Sequence, residues 1–167
     1  LFGSIVVSGD SSAGAKFLLE RMHASPSSFT TLTEMWERLL NDPSLSPLTL
    51  GAVLELDLPA ELEGARQFWV SQMAMISNRT MLSRSALEKS VRSSPPFAPA
   101  YRARVNQLFA RGDLSPQRRE EEIAGLVSLA RNNGAPDVAV QVEAQNLIAR
   151  NQIPAAVDKL AGALKDA

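Results

Sequence analysis

Ser115-Pro116-Gln117-Arg118-Arg119-Glu120-Glu121-Glu122-Ile123-Ala124-Gly125-Leu126-Val127-Ser128-Leu129-Ala130-Arg131-Asn132-Asn133-Gly134 is the stretch that decides the fold. Ser115 is placed to cap a helix, with Pro116 at its first position, where the missing N–H costs nothing. Glu120, Glu121 and Glu122 fall where the positive end of the helix dipole welcomes acid. Ile123, Leu126, Val127 and Ala130 then recur at three- and four-residue steps and share one face. Asn133-Gly134 supplies the stop.

The same grammar repeats on both sides. Pro99 to Arg111 carries Tyr101, Val105, Leu108 and Phe109 and is closed by Gly112. Pro136 to Arg150 uses Val138, Val142 and Ala149, with Leu147 and Ile148. Pro154 to Lys165 uses Val157, Leu160, Ala161 and Leu164. Four amphipathic helices joined by short turns are expected to fold back as antiparallel hairpins. Leu108-Phe109-Ala110-Arg111-Gly112-Asp113-Leu114 is echoed 39 residues later by Leu147-Ile148-Ala149-Arg150-Asn151-Gln152-Ile153. Helix-pair repeats of the HEAT type have periods of about 40 residues, and about three copies are needed to bury a shared core. Ala144, Leu147, Asn151, Ala156, Leu160 and Ala163 resemble part of a tetratricopeptide unit, over less than one repeat and without its aromatic and Gly positions.

Upstream, Ser93-Ser94-Pro95-Pro96-Phe97-Ala98-Pro99 cannot lie inside a helix, because proline removes a donor and clashes with the preceding turn. It separates an N-terminal region, 1–92, from a C-terminal four-helix array, 97–167, within what is expected to be one compact domain. Lys16 to Met22 is expected to be helical, and Thr31-Leu32-Thr33-Glu34 has capping-box spacing ahead of Met35, Trp36, Leu39 and Leu40. Ser46-Pro47 starts a further element. Leu48 to Leu58 is ambiguous: Leu50, Val53 and Leu54 suit a helix, whereas Leu54-Glu55-Leu56-Asp57-Leu58 alternates as a strand would. Helix is preferred, because the strand's one evident partner is Ile5-Val6-Val7, in residues 1–10, and an isolated pair is marginal. Pro59 opens the longest helical run, with Glu61 and Glu63 in its first turn and Leu62, Ala65, Trp69, Met73 and Ile76 along one stripe, and Asn78-Arg79-Thr80 is either a turn or a continuation of the helix through Leu82, Leu87 and Val91. The fold class is therefore all-α, with a short N-terminal β element as the variant.

Composition excludes a good deal. The chain has 167 residues, no Cys and a single His. Disulfides, thiolate metal sites and cysteine nucleophiles are excluded, as is any site needing two imidazoles, and neither a metal nor a cofactor is expected. No apolar run approaches the ~18 residues of a membrane-spanning helix. The first residue is Leu1 rather than Met, so sequence before it is expected: a membrane tether, or the rest of a larger protein. The Ala-, Leu- and Arg-rich composition has a bacterial character, which points to the cytoplasm or the periplasm.

Gly9-Asp10-Ser11-Ser12-Ala13-Gly14-Ala15-Lys16, after Ile5-Val6-Val7, has the strand, loop and helix order in which amides cradle phosphate. A P-loop needs Lys directly after the second Gly and then a hydroxyl. Here Ala15 intervenes and Phe17 stands at the hydroxyl position, turning the amine about 100° away. The segment also resembles the Gly-Asp-Ser-Ala-Gly nucleophile elbow of α/β-hydrolase esterases. Ser12 breaks that spacing, and His23 follows Ser11 too closely, on a helix. A turn with a Ser cap accounts for the loop, and a helix C-terminal position accounts for His23. The pairs Glu61/Glu63 and Glu55/Asp57 have the same kind of account, as first-turn or solvated charges, so no catalytic residue is assigned.

Charge is segregated. Glu34 to Glu63 holds seven acids and one base, and Arg79 to Arg119 holds nine bases and two acids. Opposite fields of that kind steer association. The partner-binding residues expected on this basis are Arg79, Arg84, Lys89, Arg92, Arg102, Arg104, Arg118 and Arg119. The function expected is non-catalytic: a helical protein–protein interaction module, an adaptor or scaffold. The alternative is an anion or nucleic-acid binder acting through 79–119, and third comes a hydrolase or nucleotide-binding enzyme using the 9–16 loop.

Overall fold

The computed structural model describes residues 50, 51, 53, 54 and 58–165. The expectations for Lys16–Met22, Thr31–Leu40, Ser46-Pro47, the 9–16 loop, His23 and the N-terminal β element lie outside them. All the described secondary structure is helical. Two compact units divide the chain, Leu1–Ser90 and Val91–Ala167.

In the first unit, residues 50, 51, 53 and 54 are helical, which settles that part of the ambiguous stretch; 55–57 are not described. Pro59 caps a 3-10 turn, Ala60–Leu62, that leads into α1, Glu63–Ile76. A turn at Ser77-Asn78-Arg79 connects α1 to α2, Thr80–Val91. The run from Pro59 is therefore broken, and the longest described helix is the 17-residue one after Ser115. Ala65, Trp69 and Met73 are buried as their stripe implies, together with Val70, Ala74, Ala86 and Leu87. Two buried serine bridges pair α1 with α2 in opposite directions: Ser71 Oγ lies 3.3 Å from Ser83 Oγ, and Ser90 Oγ donates to the Gly64 carbonyl at 2.5 Å. A serine here can close on its neighbour because it replaces bulk with a donor, and each buried hydroxyl would otherwise be costly.

The second unit holds α3 (Ala98–Ala110), α4 (Pro116–Asn132), α5 (Pro136–Ala149) and α6 (Ile153–Lys165). The Ser115 hydroxyl accepts from the Arg118 N–H and caps α4 as its sequence implies. Leu108 with Arg119 and Arg104 with Glu122 pair α3 and α4 head to tail. Arg131 with Glu143 and Glu120 with Asn146 do the same for α4 and α5. Helix α5 is central, packed on α3, α4 and α6, whereas α6 rests chiefly on α5. Tyr101, Val105 and Leu108 from α3, Ile123, Leu126, Val127 and Ala130 from α4, and Val138 and Val142 from α5 form the core.

Three helices end in the same way. Asn78, Gly134 and Asn151 sit at positive φ after α1, α4 and α5. At each end the following N–H reaches back to a carbonyl five residues earlier: Arg79 to Ala74, Ala135 to Ala130, Gln152 to Leu147. This is the Schellman closure, which satisfies orphan carbonyls and favours Gly or Asn, the residues that tolerate the left-handed region. The 39-residue echo is visible here, since α3 ends at Ala110 and α5 at Ala149. The cap geometry is not repeated: Arg111 is extended, and Gly112 is not in the left-handed region.

The apolar pattern of α6 does not mark its inner face. Val157, Leu160 and Leu164 of α6 are 58 %, 38 % and 81 % exposed, and Ala156 is the buried residue of that helix. The periodicity locates an apolar face without fixing the side it takes. Ala156 and the half-buried Ala163 let α6 lie close on α5, with Lys159 reaching Glu143 from the same side. The bulkier face turns outward.

Candidate functional site

An open groove of about 450 Å³ runs along the second unit between α4 and α5, with Lys159 of α6 at its edge. Its apolar floor is Ile123, Ala124, Val127 and Leu147. Its rim is charged. Glu143 stands between two cations, with Arg131 Nη2 2.8 Å from Oε1 and Lys159 Nζ 2.5 Å from Oε2. Glu120 accepts from Asn146 Nδ2 at 3.1 Å and lies 3.3 Å from Arg150 Nη1. Across α5, Gln145 Nε2 donates to the Arg102 carbonyl and to Asn106 Oδ1 on α3.

Each rim carboxylate is thus engaged by two donors of its own chain. Such an arrangement locks helices together and offers an apolar trough with a zwitterionic border; it does not present a free base poised to take a proton. The periodic signal for it is Glu143, Asn146 and Arg150 at i, i+3 and i+7 on α5. Sequence reasoning missed it because the partners, Glu120, Arg131 and Lys159, lie on other helices.

The eight cations expected to bind a partner fall into the two units. Arg79, in the α1–α2 turn, and Arg84 and Lys89, on α2, are exposed in the first. Arg92 and Arg102 are exposed in the second. The remaining three are drawn into the fold of the second unit. Arg104 meets Gln107 at 2.5 Å and Glu122 at 3.8 Å. Arg118 forms ion pairs with Glu121 and Glu122 at 3.0 and 3.1 Å. Arg119 Nε donates to the Leu108 carbonyl, and its guanidinium lies 4.9 Å from the Phe109 ring centroid. That cation–π contact gives Phe109 a role at the half-buried rim rather than in the core.

Of the acidic pairs, Glu55 and Asp57 lie outside the described residues. Glu63 is held by Arg66 at 2.6 Å and Gln67 at 2.8 Å. Burial alone would raise its carboxyl, but those hydrogen bonds, with the Arg66 and Lys89 charges, bring it below the ordinary value. A carboxyl tuned downward is a helix-start anchor, the opposite of a general acid near neutrality. Among the described residues no group of His, Asp or Glu is gathered in a way that could hold a metal ion.

The other feature of the second unit is the outer face of α6. Ile153, Val157, Leu160 and Leu164 stand at intervals of four, three and four residues, and all four are exposed. None of the described helices is long and apolar enough to cross a membrane. The chain matches no family model, no curated protein and no solved structure.

Proposed function

We propose that this chain is a helical protein-interaction module, an adaptor or scaffold, and that its second unit carries a docking surface. The observation that supports this is a contrast within that unit. Its charged side chains close on one another, as in Arg131–Glu143–Lys159 and Arg118–Glu121, while four large aliphatic side chains of α6 stay in solvent. Single exposed apolar residues are ordinary, but a contiguous row on one helix face marks an interaction surface. The row offers about 400 Å² of apolar surface, so covering it contributes about 10 kcal/mol before association costs. Those costs are about 4–15 kcal/mol, of the same size, so the area alone sets no affinity.

The test is affinity capture with the full chain as bait, run beside a Leu160→Asp/Leu164→Asp double variant. A stoichiometric partner retained by the unmodified chain and lost from the variant is expected. Identical capture by both would remove the role of this face. A salt-dependent mobility shift of nucleic acid, abolished by Arg84→Ala and Arg102→Ala, would replace the proposal with the anion-binding alternative.

A further inference from the structure

We draw no further inference here: the strongest candidate, the open groove between α4 and α5, has rim charges already paired with one another across the helices, and nothing in the structure shows what fills it.

Discussion

In α4 the residues Ile123, Leu126 and Val127 face into the second unit; in α6 Val157, Leu160 and Leu164 face out of it. Both helices are amphipathic, and both follow a short turn. What separates them is neighbours: α4 packs on α3 and α5, whereas α6 has chiefly α5. A helix with one neighbour can bury only a narrow strip, and α6 gives that strip to Ala156 and the half-buried Ala163 while Glu143 holds the Lys159 ammonium. Apolar periodicity therefore reports that a face exists. It does not report what covers it.

The sharpest break of this comparison is a pair of truncations. Leu126→Ala should destabilise the second unit by about 3 kcal/mol, the usual cost of a lost core leucine plus its cavity. The same change at Leu160 should cost well under half of that, because the side chain is already partly in water. Urea unfolding followed by circular dichroism reads both. Equal losses would mean that α6 is packed as α4 is.

A second test uses alkaline pH. Tyr101, the single tyrosine of the chain, is fully buried in the α3 core. Burial raises its hydroxyl above the ordinary value of 10.0, with the Asn133 side chain acting in the opposite direction. The folded state therefore holds the phenolic proton more tightly than the unfolded chain. The stability this contributes is intact below pH 10 and is lost as pH rises through the folded value. The phenolate absorbance should appear late and together with loss of helix, and Tyr101→Phe should remove that coupling. Titration at pH 10 with the helices intact would show the α3 core to be open.

Smaller again are the turns before α5 and α6, which share one geometry. Gly134→Ala and Asn151→Ala each place alanine at positive φ, with an expected cost of about 1 kcal/mol. No neighbouring atom would obstruct a Cβ at Gly134, so the strain is purely of the backbone. The two substitutions should differ in reach. Gly134→Ala loosens the α4–α5 pair and lowers the stability of the whole unit. Asn151→Ala should appear in hydrogen exchange as fraying confined to α6. Asn151→Gly should leave exchange unchanged or slower.

These contrasts mark what was legible in the sequence. Ser115-Pro116 and Asn133-Gly134 named both ends of α4, because caps are local chemistry. Asn78 and Asn151 carried the same stop signal in weaker form, since asparagine is less committed than glycine to the left-handed region. The core of α3 and α4 was readable because both helices have neighbours on the faces that periodicity marks. The α6 orientation and the Glu143 and Glu120 bridges were not, because each depends on residues 12 or more positions apart meeting across packed helices. The basic block was visible as composition. The engagement of Arg104, Arg118 and Arg119 by Glu121, Glu122 and the Leu108 carbonyl was not.

The smallest expected effect is also the most informative. Leu164 is 81 % exposed, so Leu164→Ala removes side-chain surface that water already covers. In a dilute chain its unfolding midpoint should match that of the unmodified protein, since surface changes away from special features fall within about 0.5 kcal/mol. Adding a partner captured through this face should separate the two, because anything that binds only the folded chain adds stability by mass action. The unmodified chain should then melt higher while Leu164→Ala stays where it was. A gap already present before the partner is added would place Leu164 inside the fold of its own unit, and the contrast between α4 and α6 would disappear with it.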